Sequence, residues 1–189
     1  MPKTYVRCKV CGFVIEENSL GEICPACGSG RSEFASDTER MSPLRRALLD
    51  SRIHPMIVHF PQAFVIFLLV LSNIALFSRA PFHNNMILVV RYLAIPLPFF
   101  VAGAFLSGII DAKARLKRLL TPILYSKIVA ASIFFIASLA SAYMAIVLKE
   151  FHHTLFFAMD GLFILEFVCS VVAGKLGSLL LCTKLQEEV

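Results

Sequence analysis

The stretch CKVCGFVIEENSLGEICPACG, residues 8–28, carries Cys-x-x-Cys-Gly at each end, with twelve residues between Cys11 and Cys24. A Cys-x-x-Cys turn presents two sulfurs to a single tetrahedral ion. The glycine behind it can take the positive φ that turns backbone N–H groups toward the thiolates. Two such turns make a closed four-sulfur metal site from Cys8, Cys11, Cys24 and Cys27. The module they define, residues 1–35, is below the size of about 40 residues at which chains usually fold without a staple. A bound metal would therefore supply much of its folding free energy.

Away from this motif the composition changes. The other two cysteines, Cys169 and Cys182, lie singly in apolar runs, a distribution that suits a metal site and not a disulfide scaffold. The chain of 189 residues is 58% apolar and 16% charged, against about 45–50% and about 25% in soluble domains. That argues against a soluble single-core protein, and it excludes disorder, because so much apolar surface cannot stay solvated. No apolar run with a small-residue cleavage site precedes the cysteines, so no secretory leader is expected. Residues 36–52 read as a basic linker. Within it Leu44, Ala47, Leu48 and Leu49 would give a helix after Ser42-Pro43 one apolar face, with Arg45, Arg46 and Arg52 placed for lipid head groups. An ordinary solvated linker fits the same residues.

Residues 53–183 read as an all-α transmembrane four-helix bundle, with apolar stretches at 57–77, 86–110, 120–148 and 155–181. Each is long enough to cross about 30 Å of hydrocarbon at about 1.5 Å per residue. The connections SRAPFHNN, DAKARLKR and KEFHH are short, so neighbouring helices run antiparallel. Pro96 and Pro98 predict a kink in the second span. Small residues at Gly103/Ser107, Ala104/Gly108, Ala137/Ser141 and Ser138/Ala142 allow close helix approach.

Basic residues orient the bundle. Arg40, Arg45, Arg46 and Arg52 precede the first span, and Lys113, Arg115, Lys117 and Arg118 crowd the second loop, whereas the other two loops offer Arg79 and Lys149. Positive charge stays on the cytoplasmic side, so both termini, the second loop and the metal module are expected there, on a bacterial inner membrane. A cytoplasmic compartment keeps thiols reduced and favours ligation over disulfides. The net charge of +5 is accounted for by these loops, and no nucleic-acid partner is expected.

Tyr5-Val-Arg-Cys8-Lys-Val-Cys11-Gly12-Phe13, with Cys24-Pro25-Ala-Cys27-Gly28 and Phe34, resembles the short rubredoxin-like domain at the end of rubrerythrins. The resemblance implies a small β/knuckle fold and one iron held by Cys8, Cys11, Cys24 and Cys27. It also implies one-electron exchange at that iron, with Tyr5, Phe13 and Phe34 packed around it. Phe13 stands where that family commonly has Tyr. The same sulfurs suit zinc, which is redox-inert and would only hold the fold. His54-Pro55-Met-Ile-Val58-His59-Phe60-Pro61, with Gly108-Ile-Ile-Asp111 and Gly174-Lys-Leu-Gly177, resembles a family of four-span bacterial membrane proteins without an established activity. That second resemblance implies the architecture and no chemistry.

Ionisable groups inside a membrane are costly, so each marks a pairing or a site. Arg91 with Asp160 is a candidate ion pair, and Lys127 could satisfy Glu166 or Asp111. Alternatively, Glu166 and Lys127 could line a proton or quinone site. His54, His59 and Asp111 fall at the module's end of the bundle and form the candidate cofactor-binding group. His54 and His59 would converge only if the helix began between them. His59 could equally cap and pack at the interface, hydrogen-bonded to Asp111 or to backbone. His83, His152 and His153 fall at the opposite end. His59 and His152 would stand about 30 Å apart, too far to ligate one haem, and neither haem nor quinone has a motif of its own here.

These readings converge on a membrane-tethered one-electron carrier. A cytoplasmic reductase would reduce the iron, and a membrane acceptor would take the electron. The alternative is a zinc-ribbon docking or scaffold protein without redox activity. A weaker reading is a small transporter with the module as sensor. No nucleophile–base pair and no phosphate-binding loop supports hydrolase or kinase chemistry. The orientation is checked by reporter fusions: those after Val189 and within DAKARLKR should behave as cytoplasmic and one in the HNN segment as periplasmic. A periplasmic metal module would overturn the assignment.

Overall fold

A computed structural model describes residues 4–36, 47, 51, 53–116, 121–147 and 153–181, the last segment with side chains at 156–178. Apart from Ala47 and Ser51, the segment in which a linker helix was expected lies outside the described residues. So do Lys117, Arg118, Lys149, His152 and Cys182.

The N-terminal module is a three-stranded antiparallel sheet in the order β2-β1-β3, with β1 at Tyr5–Cys8, β2 at Val14–Glu16 and β3 at Phe34–Ser36. β1 pairs Val6 with Ile15 on one side and with Ser36 on the other. Strands of three or four residues bury little by themselves, and such a sheet needs further support to persist. That support sits in the two turns that carry the cysteines.

Four candidate membrane spans follow, each long and apolar enough to cross a membrane. α1 runs Ile53–Phe77, α2 Phe82–Ala94, α3 Leu97–Arg115, α4 Pro122–Val147 and α5 His153–Leu181. α2 and α3 together form the second span, broken at Ile95 and Pro96. Proline lacks the N–H that would continue the ladder, so Pro96 ends one helix and lies just before the start of the next. Thr121 opens α4: its hydroxyl accepts from the Leu124 N–H at 3.4 Å, with Pro122 in the first helical position.

α4 against α5 is the most extensive helix pairing, while α1 packs on α2, α3 and α5. Ala137, Ser138, Ser141, Ala142 and Ala145 are buried along α4, so small side chains let the backbones approach. The central core gathers Val65, Leu68, Val90, Leu97, Phe134, Met159 and Phe163. Only 22–33% of each span's most apolar window is buried inside the protein, so most apolar side chains, Phe67, Phe99, Ile136 and Phe157 among them, face outward. A helix apolar all round in a small protein is one whose surroundings are hydrocarbon.

The metal module does not hang free of the bundle. Cys8, Cys11, Phe13, Cys24 and Ala26 share one apolar cluster with Ala112 and Leu116 at the end of α3 and Leu124 at the start of α4. The cysteine turns therefore rest on the end of the bundle that also holds the first turns of α1.

Candidate metal centre

Each Cys-x-x-Cys-Gly segment closes in the same way. Gly12 N–H donates to the Cys8 carbonyl at 2.9 Å and Cys8 N–H to the Phe13 carbonyl at 2.8 Å. In the second turn Gly28 N–H donates to Cys24 at 2.8 Å and Cys24 N–H to Ser29 at 2.7 Å. Gly12 at φ 82° and Gly28 at φ 77° occupy the left-handed region, where any side chain would be strained.

The two turns bring the four Sγ atoms within 4.8 Å of one another. Cys8 and Cys27 are 3.8 Å apart, as are Cys11 and Cys24. A tetrahedral ion with metal–sulfur bonds of about 2.3 Å requires sulfurs about 3.8 Å apart, so the cage fits one such ion. Four thiolates leave no open position for substrate, which marks a structural or electron-transferring centre.

The cage is sealed unevenly. Cys8, Cys11 and Cys24 are buried, with Phe13 and Ala26 beside them, while Cys27 is partly exposed. Phe34 packs at the edge of the same cluster, and Tyr5 sits outside it, paired with Glu16 at the far end of the sheet. Burial pushes the Cys11 and Cys24 thiols up. Burial acts on Cys27 too, but hydrogen bonds from the Ser29 side chain and backbone outweigh it and bring that thiol down to about 7. An incoming cation thus finds its most readily formed thiolate at the accessible corner. The spacing of the cysteines does not single out Ser29. Its hydroxyl lies 3.1 Å from Cys27 Sγ and 3.3 Å from Cys8 Sγ, bridging the two turns. The readable signal is its place after Cys27-Gly28, matching that of Phe13 after Cys11-Gly12.

The histidine and aspartate candidates divide. α1 begins at Ile53, so His54 and His59 sit on one continuous helix, about 140° apart around its axis. They do not converge: His54 turns inward and His59 is exposed. His54 instead joins a directed chain. Lys127 Nζ donates to His54 Nε2 at 3.3 Å, His54 Nδ1 donates to Ser107 Oγ at 3.0 Å, and Ser107 donates to the Ala104 carbonyl at 2.9 Å. Gly108 makes room for the ring, since a Cβ there would lie 2.9 Å from His54 Cε1. Asp111 pairs with Arg115 on its own helix at 2.8 Å rather than with His59. His83, at the other end, bonds the Ala75 carbonyl at 2.8 Å.

Of the expected charge pairings, Lys127 lies within electrostatic reach of Asp111, while the two carboxyls within the spans accept from uncharged donors. Asp160 accepts from Ser72 and Asn73, and Arg91 Nε donates to the Ala145 carbonyl at 2.9 Å. Glu166 accepts from Ser141 at 2.9 Å, while Lys127 lies toward His54 and Gly177.

Replacing Cys8 or Cys24 by Ser should abolish metal binding and unfold residues 1–35 while the bundle still inserts. Structural metal sites of this kind contribute about 10–16 kcal/mol, more than so small a sheet can supply. Elemental analysis together with proteolysis of the N-terminal module checks this, and a module that resists protease without metal would contradict it.

Residues 7–35 match the family model of the rubrerythrin rubredoxin-like domain. Among curated proteins and solved structures, none matches the chain. The chain therefore joins a rubredoxin-like tetrathiolate module to a bundle of four candidate membrane spans.

Proposed function

We propose that the protein is a one-electron carrier at the bacterial inner membrane, with its metal module on the cytoplasmic face. Iron held by Cys8, Cys11, Cys24 and Cys27 would supply a ferric/ferrous couple. The observation that carries this reading is the packing of the cysteine turns onto Ala112, Leu116 and Leu124. A docked module is held near the lipid phase, and electron transfer favours short gaps.

The chain's own residues serve such a role in definable ways. The paired turns fix the sulfurs, so the cage changes little between charge states. The Ser29 hydroxyl, aimed between Cys8 and Cys27, stabilises negative charge on sulfur. The acceptor side would be formed by Asp111, next to docking residue Ala112, by His54, bonded to Lys127 one turn beyond Leu124, and by His59 on the outward face of α1 where a lipid-borne acceptor would meet it. A quinone is the acceptor class that suits this position, and a soluble cytoplasmic reductase the donor class.

The second reading, a zinc-bound docking module without redox activity, is favoured by the same sulfur geometry, which fits zinc equally. Colour separates the two. Protein purified after growth in iron-rich medium should be red and bleach on reduction, because ferric tetrathiolate iron absorbs visible light. Colourless protein with one zinc per chain would remove the electron-transfer reading. If the metal is iron, His54→Ala, His59→Ala and Asp111→Asn should slow reoxidation of the reduced module by membranes, and His83→Ala should not. A chimera on an unrelated membrane anchor that reoxidises as fast as the native protein would reduce the four spans to a tether.

A further inference from the structure

Asp160, Phe163, Glu166, Ser170, Gly174 and Gly177 recur at intervals of three or four along α5 and so share one face of the helix. Over about 25 Å of helix, this stripe nearly matches a hydrocarbon thickness of about 30 Å. It faces inward: Asp160, Phe163, Glu166 and Ser170 are all buried. Polar groups of two other helices meet it along its length. Ser72 and Asn73 of α1 bond Asp160, and Ser141 of α4 bonds Glu166. Gln62 of α1 stands 3.3 Å from where a Gly174 Cβ would lie, and Lys127 of α4 stands 3.3 Å from that of Gly177. The stripe ends at the Lys127–His54 chain beside the metal module.

Glu166 is the group in this seam that its surroundings leave incomplete. Its side chain is fully buried, Oε1 accepts from Ser141, and Oε2 has no hydrogen-bond partner among the described residues. Asp160, by contrast, has two donors. An open carboxylate oxygen in hydrocarbon calls for something that binds it. A metal cation would need several oxygen ligands, and among the described residues Glu166 has only the Ser141 hydroxyl bonded to it, with the Ser170 hydroxyl one turn away. A proton needs one oxygen and a chain of polar groups to travel along.

We propose that Glu166 is the proton-carrying group of a relay through the bundle, running from the Lys127–His54 end to Asp160. A proton from solvent at the module's end passes through waters lined by Lys127, Gln62 and Ser170, in steps of about 4–6 Å along α5, to Glu166 Oε2. One O–H bond forms on Glu166 as one bond to hydrogen breaks on the donor, and no electron moves. Departure needs a carrier across the roughly 9 Å between the two carboxyls. A water admitted when the Phe163 ring turns takes the proton as the Glu166 O–H bond breaks. It gives one up to Asp160 as a new O–H bond forms there, from which the proton leaves to the opposite face. Phe163, fully buried and three residues from each carboxyl along α5, is the apolar step of the path. The relay does not depend on which metal the module holds.

The test uses the full metal-loaded chain in liposomes containing a pH-sensitive dye, with an interior-negative potassium diffusion potential set by valinomycin. Wild-type vesicles should acidify faster than protein-free vesicles. Glu166→Gln, which keeps the acceptor for Ser141, should fall to the protein-free rate with unchanged metal content, and Glu166→Asp should retain part of the flux. Infrared spectroscopy of the wild type gives an independent reading, in which the carboxylic acid band of Glu166 should shift in heavy water. Wild-type vesicles no faster than protein-free ones, Glu166→Gln vesicles as fast as wild type, a flux that follows sodium instead of protons, or a carboxyl band that never exchanges would each overturn the proposal.

Discussion

Hydrocarbon offers no hydrogen bonds, and most of this architecture follows from that. Every backbone N–H and C=O in the spans must be satisfied within its own helix, which forces long uninterrupted segments and confines the break at Ile95 and Pro96 to a place where neighbouring helices pack. Burial of apolar groups cannot drive the helices together, because lipid is as apolar as leucine. Close packing of Ala137, Ser138, Ser141, Ala142 and Ala145 takes that role on α4. The same constraint turns polar side chains inward, where Ser72 meets Asp160, Ser141 meets Glu166 and Arg91 meets the Ala145 carbonyl.

The metal module obeys the opposite physics. It lies in a polar segment, and its short strands cannot bury enough surface to hold together. Four sulfurs placed to hold one ion stand in for a hydrophobic core. The apolar surface around the cage, Phe13 and Ala26 foremost, is then covered from outside by the ends of α3 and α4. Docking thus removes apolar area from water for both parts and holds the most deeply buried sulfurs close to the membrane end, with Cys27 left toward solvent.

The interior polar groups fall into two kinds. Asp160 and the Lys127–His54–Ser107 chain find partners, as buried polar groups ordinarily do. Glu166 finds only half of what it needs. Leaving a buried acceptor unpaired costs about 1–3 kcal/mol, a sum that packing would recover by substituting an apolar residue. Sequence position alone cannot separate the two kinds, because Asp160 and Glu166 look alike within an apolar run.

What was legible in the sequence was whatever is encoded locally. The ligands Cys8, Cys11, Cys24 and Cys27 are read from spacing within single turns, and the four spans from composition over lengths that match a bilayer. Ser29 was missed because a hydroxyl's aim at sulfur depends on the closed turn and not on the spacing of the cysteines. The meeting of groups across helices was decided only by the tertiary structure. Because α1 starts at Ile53, His54 and His59 point to different sides, and Lys127 reaches His54 while Asp111 stays with Arg115. The docking of the module on Ala112, Leu116 and Leu124 was equally invisible. Composition sets how deep a residue lies in a span, but the rotation of each helix about its axis is set by the packing of all four together, and that rotation decides which side chains touch.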